Sequence, residues 1–134
     1  MSLADVQAGI AAALVPLAGQ VPDLQVVGFL NSNPTPPSLD VYPADPFLDG
    51  AGFGVDSQTV YFTVRARVST ADEEAGQRLL LRLLDTGDTA SVEQALGAAG
   101  YAVTPEGVSG FREYLESIDG GRLLGCEWRV QTYM

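Results

Sequence analysis

Apolar and polar positions alternate most regularly in two segments of the chain, residues 59–69 and 122–133. A period of two predicts strands with one buried and one polar face. The buried faces would comprise Val60, Phe62, Val64, Ala66 and Val68 in the first segment, and Leu124, Cys126, Trp128 and Val130 in the second. The pattern also predicts shorter strands over 24–30 and 39–42, and a weak one near Val103.

Three segments instead show apolar residues at spacings of three and four, which predicts helices over 2–18, 72–85 and 92–99. Ser2, Thr70 and Ser91 are the expected caps, because each hydroxyl can accept a hydrogen bond from the first helical turn. The resulting order is helix, two or three strands, two helices and a strand. It predicts an α+β two-layer sandwich, with an antiparallel or mixed sheet of about four strands and helices on one face.

The segment 43–58 breaks this pattern with two prolines, three glycines and three aspartates. We expect a long irregular loop there, within a single domain that spans residues 1–134. The loop carries Phe47, Leu48 and Phe53, and apolar side chains on a long loop indicate docking on the protein's own core or on a partner. These three residues are therefore the predicted partner-docking loop.

The charge balance limits the possible partners. Seven basic residues, all arginine, stand against 17 acidic ones, giving a net charge of −10 and a pI near 4.1. Such a surface repels phosphate, which argues against nucleic-acid binding, although a pore that lets DNA pass without retention would need the same sign. No apolar run is long enough to span a bilayer. The apolar N-terminus has Asp5 and Gln7 where a signal peptide would be basic, so we interpret it as a helix.

The chain has no histidine and one cysteine, which excludes Cys/His zinc motifs and histidine-dependent catalytic pairs. Asp72, Glu73 and Glu74 are adjacent at a helix start and would point in different directions. The loop aspartates do not follow the spacing of a calcium loop, and "GAGFG" lacks the lysine of a phosphate loop. We therefore expect no catalytic, cofactor or metal site, and no enzymatic activity. A ligand-binding domain, or an enzyme that uses carboxylates alone, would need acids that converge in a pocket.

The arginines on the strand predicted over 59–69 allow two interpretations. Arg65 and Arg67 share its polar face, and Arg129 would join them if this strand pairs with the one over 122–133. One interpretation is a solvated face balanced by acids such as Glu127. The other is a subunit interface, since arginine pairs bidentately with carboxylates. In the second case the interface would comprise Tyr61, Arg65, Arg67, Glu127 and Arg129.

Three stretches together, "VYFTVRARVSTADEEAGQRLLLRLLD", "SVEQAL" and "GRLLGCEWRVQTY", resemble the tail terminator or head–tail joining proteins of long-tailed bacteriophages, especially those of actinobacteria. The resemblance spans roughly residues 24–133. It implies an α+β virion protein at the neck, without cofactor, that forms a ring, typically a hexamer. The ring would contact the tail tube protein and the connector or stopper, while DNA passes through its lumen without specific binding.

The resemblance also gives the arginines a role. A head-to-tail ring needs two different complementary patches on each copy, and Arg65 and Arg67 facing acids of the next subunit would provide them. Another neck component, such as a head completion or connector protein, fits the same pattern. So does a component of a phage-derived particle, and a ligand-binding α+β domain is a further alternative.

Overall fold

The computed structural model of the chain describes residues 2–32, 35–49, 59–114 and 122–133. The helices in these ranges are α1 (Leu3–Leu14), which continues as a 3-10 helix (Val15–Gly19), α2 (Glu73–Leu84) and α3 (Val92–Ala98). The strands are β1 (Gln25–Val27), β2 (Ser38–Asp49), β3 (Thr59–Ser69), β4 (Ala102–Val108), β5 (Arg112–Tyr114) and β6 (Leu123–Tyr133). None of these helices is long and apolar enough to cross a membrane.

Six strands of the described chain form one mixed sheet in the order β1-β2-β3-β6-β4, and β5 pairs with β6 on the same side as β4. Only β1 and β2 run parallel; the other pairs are antiparallel. The predicted α+β class is confirmed. The predicted number of about four strands is too low, because β4 and β5 alternate poorly and their pairing depends on β6.

The core lies between one face of the sheet and the helices. The β3–β6 register sets Phe62 opposite Val130 and Val64 opposite Trp128, so the alternating apolar residues of both strands point to the same side. Helix residues complete the same buried cluster: Val6, Ile10, Leu14, Leu80, Leu83, Val92 and Leu96. Cys126 belongs to this cluster, and burial raises the pKa of its thiol to about 12.

Side-chain caps fix where the helices begin. Ser2 and Ser91 cap α1 and α3 as predicted, accepting hydrogen bonds from the backbone of Asp5 and Gln94. The prediction of Thr70 for α2 is wrong. Asp72 caps this helix, accepting from the Ala75 amide at 3.0 Å, because it directly precedes the first helical residue.

The predicted irregular loop over 43–58 is wrong for its first part, since residues 43–49 belong to β2. The pairing of β2 with β3 shifts between Pro43, opposite Phe62, and Leu48, opposite Val60, which marks a bulge. Within the described residues β1 pairs only with positions 38–40, so the outer side of the remaining strand has no neighbour there. Prolines are tolerated on such an edge because they break no ladder there. Residues 50–58 lie outside the described ranges.

Candidate functional site

The face of the sheet opposite the helices carries the polar residues singled out in the sequence. The predicted pairing of the two alternating strands is confirmed, with Arg65 opposite Glu127 and Thr63 opposite Arg129. On the other side of β3, Asp40 of β2 lies opposite Arg65. We call this surface the polar sheet face; its members are Asp40, Tyr42, Tyr61, Thr63, Arg65, Arg67, Tyr114, Glu127 and Arg129.

A buried ion-pair triad of Asp40, Arg65 and Arg67 lies at one end of this face. Arg65 binds Asp40 bidentately, with Nε 3.1 Å from Oδ1 and Nη2 2.6 Å from Oδ2. Arg67 donates from Nη2 to Asp40 Oδ2 at 3.2 Å. Asp40 and Arg67 are fully buried and Arg65 is 6% exposed. Two guanidinium groups thus share one carboxylate, and all three charges depend on one another, since a lone buried charge is costly.

The triad also holds the connection between β1 and β2. The backbone amide of Asn31 donates to Asp40 Oδ2 at 3.1 Å, and its carbonyl accepts from Arg67 Nη2 at 2.6 Å. Arg65 Nη2 lies 3.4 Å from the same carbonyl oxygen. Both backbone polar groups of Asn31 are therefore satisfied by charged side chains, which fixes this part of the connection over the sheet.

Two aromatic rings lie against Arg65 of the triad. The Arg65 guanidinium carbon lies 4.9 Å from the centre of the Tyr42 ring and 5.5 Å from that of Tyr114. Both distances fall in the range of cation–π attraction. The predicted role of Arg65 and Arg67 as subunit-interface residues therefore needs correction, because both guanidinium groups are enclosed and bound to an acid of their own chain.

Sequence reasoning placed Asp40 in a short strand but gave it no role. Its position within "LDVY" puts it on the polar face, at the same parity as the two arginines of the next strand. An acid flanked by apolar residues in a strand has the ordinary pattern of a solvent-facing position, so the sequence carries no signal that Asp40 is buried. Only the register between strands shows which arginines it meets.

Glu127 forms a second polar centre beside the triad. Its carboxylate accepts a short hydrogen bond from the Tyr114 hydroxyl, and its other oxygen lies 3.9 Å from Arg112 Nη1. The backbone of Glu127 bonds to Ser109 twice, donating to Oγ at 2.8 Å and accepting from the amide at 2.9 Å. These contacts fix the connection between β4 and β5 on β6.

Arg129 and Tyr61, the other two predicted interface residues, lie together on the polar sheet face. The Arg129 guanidinium carbon is 4.2 Å from the centre of the Tyr61 ring. Both residues are partly exposed, so their interface role stays a prediction. The side chains of Phe47 and Leu48 and all of Phe53, the predicted docking loop, lie outside what the structure describes.

A cleft of about 540 Å³ opens on this face between β2 and the β4–β5 connection. Its lining includes Tyr42, Thr63, Ser109, Arg112, Glu127 and Arg129. The groups are of mixed charge, and no cluster of three or more metal-ligating side chains occurs among the described residues. The cleft offers hydrogen bonds and ion pairs to a polar partner surface.

We predict that Tyr42 and Tyr114 stay protonated in the folded protein above the ordinary tyrosine pKa of 10.0, because burial, the first cause, and the nearby Glu127 raise the pKa of both. Because these pKa values are raised on folding, the stabilisation is complete below pH 10 and is lost as pH rises further. Alkaline titration followed by tyrosinate absorbance should show Tyr42 and Tyr114 ionising above pH 10, together with loss of circular dichroism.

The variant Tyr114→Phe should remove one late-titrating tyrosine and leave the other. Ionisation of all five tyrosines in a single step, with the circular dichroism unchanged, would contradict the buried position of these two rings.

The pKa values of three side chains on the sheet are raised. Tyr42 and Tyr114 are held neutral, and the Cys126 thiol is buried on the opposite face with a raised pKa. None of the three therefore provides a nucleophile near neutral pH.

No protein-family model matches this chain, and no curated protein matches its sequence.

Proposed function

We propose that this chain is a structural virion protein of the tail-terminator type, located at the neck of a long-tailed phage. Copies of the chain form a ring, typically a hexamer, that caps the tail tube and joins it to the head connector or stopper. The proposal rests on the resemblance of three stretches of sequence, and the α+β fold is compatible with it.

Within the structure, the distribution of charge is the observation that supports the proposal most directly. The buried triad withdraws two of the seven arginines and one of the 17 acids, so five arginines remain against sixteen acids elsewhere. The outer surface is thus more acidic than the net charge of −10 suggests. An acidic lumen lets DNA pass without retention, because like charges repel.

The character of the polar sheet face favours a contact role over catalysis. Its cleft presents Arg112, Arg129 and Glu127 beside tyrosine rings, and arginine and tyrosine are enriched where proteins meet. A neck component that contacts the portal and not the tube is the second candidate, since the same surface suits either partner.

The test has two readouts. The native mass of the purified protein, measured at low and moderate salt, should show a discrete ring of about six 14.1 kDa chains. Tubes assembled from the tail tube protein of the same genome should then stop growing and show a ring at one end in electron micrographs. Binding to portal complexes with no binding to tubes would favour the other neck component.

A protein that assembles with neither tubes nor portal complexes would refute the proposal. In that case the cleft on the polar sheet face is the first place to search for a small ligand.

A further inference from the structure

The cleft on the polar sheet face contains two largely buried polar side chains with unused hydrogen-bonding capacity. Thr63 lines the cleft and is only 9% exposed, yet its hydroxyl makes no hydrogen bond to a residue that the structure describes. The Glu127 side chain is 23% exposed, and Tyr114 occupies one of its two carboxylate oxygens. The other oxygen lies 3.9 Å from Arg112 Nη1, which is too far for a hydrogen bond. Since polar groups buried to this extent are normally hydrogen-bonded, the cleft is suited to a ligand that bonds to both.

Strand register places these two groups for a common ligand. Thr63 lies opposite Arg129, and Glu127 comes two residues before Arg129, so Thr63 and Glu127 are diagonal neighbours on one face. Diagonal neighbours in an antiparallel pair are about 7–8 Å apart. A flat group with several N–H donors can therefore bridge the hydroxyl and the carboxylate. Tyr42 lies opposite Thr63 on the other side and adds an aromatic ring to the cleft.

The charges around the cleft favour a cation as this ligand. Asp45 and Glu106 are exposed and line the cleft together with Glu127, and the net charge of −10 adds to the attraction of a basic partner. The two arginines of the lining are engaged by the chain itself. The Arg129 guanidinium lies over a tyrosine ring at 4.2 Å. Arg112 is 59% exposed, and its long ion pair with Glu127 is weak enough for a better-placed cation to displace it.

The backbone at Glu106 is held in a strained conformation beside the cleft. Its φ angle is 63°, in the left-handed region, within the irregular part of β4 between Val103 and Val108. This conformation is unfavourable for any residue other than glycine, and strain of this kind clusters at binding and active sites. Here it brings an acidic residue to the cleft.

The chain already binds a guanidinium group of its own with the same combination of partners. The Asp40 carboxylate binds Arg65 bidentately, and the Tyr42 ring lies 4.9 Å from the guanidinium carbon. The cleft offers the Glu127 carboxylate together with the same Tyr42 ring. A guanidinium is planar and more weakly hydrated than an ammonium, so it suits such a site better.

We infer that the cleft binds an arginine side chain of a partner protein. The guanidinium group lies between Thr63 and Glu127, donating to the hydroxyl of the first and to the free carboxylate oxygen of the second. Asp45 and Glu106 add attraction for the positive charge. The inference rests on the proposed function only in taking the partner to be a protein, and its test needs no ring.

A peptide titration tests the site on the purified protein. The probe is a blocked pentapeptide with arginine at its centre and glycine elsewhere; the control peptide carries citrulline, which has nearly the shape of arginine without its charge. Heteronuclear NMR should show saturable shifts confined to amides around the cleft, such as those of Thr63, Ser109 and Glu127. The citrulline peptide should bind at least about tenfold more weakly, because the hydrogen bond to the carboxylate loses its charge. A lysine peptide should also bind more weakly, and equal affinity would overturn the assignment of a guanidinium.

Two variants distinguish a binding site from a structural element. Thr63→Val keeps the shape of the side chain, so the midpoint of urea unfolding should be unchanged or higher, while the affinity for the arginine peptide falls about threefold to tenfold. Glu127→Gln keeps an acceptor for Tyr114 and removes the charge, and should weaken binding at least about tenfold. Glu74→Gln is the control with the same change in net charge, since Glu74 is exposed on α2, and should leave the affinity nearly unchanged.

Equal binding of the arginine and citrulline peptides would overturn the inference, and so would unchanged affinity in both Thr63→Val and Glu127→Gln. The tube assay separates this inference from the proposed function. If the arginine peptide binds as expected but the protein assembles with neither tubes nor portal complexes, the site stands and the terminator function fails. If the protein caps tubes but the peptide produces no saturable shift, the function stands and the inference fails.

Discussion

Replacing Asp40 with alanine should lower the free energy of unfolding by about 3–5 kcal/mol, since two buried guanidinium groups lose their shared carboxylate. The same change frees the amide of Asn31, which now bonds to Asp40 Oδ2. Urea denaturation followed by circular dichroism measures the loss. A change of this size is a large fraction of the stability of an ordinary small domain.

Two further variants make the result specific. Asp40→Asn keeps the shape and an acceptor oxygen but removes the charge, and should be destabilising as well. Glu74→Gln breaks the exposed pair with Arg78, in which both side chains are 76% exposed, and should leave the midpoint nearly unchanged. Equal, small effects of Asp40→Ala and Glu74→Gln would show that the triad is not buried as described.

Joint replacement of the three triad residues by apolar residues of similar volume tests whether Asp40→Ala is destabilising because it leaves two buried charges unpaired. Buried ion pairs are often no more stabilising than well-packed apolar residues. We therefore expect Asp40→Leu with Arg65→Met and Arg67→Met to recover much of the stability lost in Asp40→Ala. The same reasoning makes charge reversal of Arg65 and Arg67 unsuitable as a test of ring formation, because it would unfold the monomer.

Gly125→Ala is expected to lower the free energy of unfolding by about 3 kcal/mol, the upper end of the usual cost of overpacking. A Cβ at this position of β6 would overlap the backbone carbonyl oxygen of Ala66 and lie 2.7 Å from the Tyr114 ring. The carbonyl belongs to the central strand β3 and cannot move without disturbing the sheet. The free energy of unfolding in urea measures the cost.

Gly97→Ala is the matched control for this change. Nothing lies within 4 Å of a Cβ at Gly97, which is in α3. Alanine has a higher helix propensity than glycine, so this variant should be more stable than the wild type by up to about 1 kcal/mol. Equal stability of the Gly125→Ala protein and the wild type would contradict the close approach of β6 to Ala66 and Tyr114.

Part of the candidate site could be predicted from periodicity. The alternation of β3 and β6 correctly placed Arg65, Arg67 and Arg129 on one face, because side chains on a strand alternate strictly between its two sides. Tyr61 and Glu127 followed from the same rule. Their burial could not be predicted, because the rule says which side a residue faces and not what covers that side.

The sequence by itself determined the α+β class, the spans of α1, β3, α2, α3 and β6, and the absence of histidine chemistry, because these depend on local periodicity and composition. Only the tertiary structure decided that Arg65 and Arg67 are buried against Asp40. Asp40 and Asn31 reach them through strand register and a crossover connection, and these are long-range contacts that no local pattern encodes. One end of a strand face that its composition marks as solvated or intermolecular is thereby closed within one protomer.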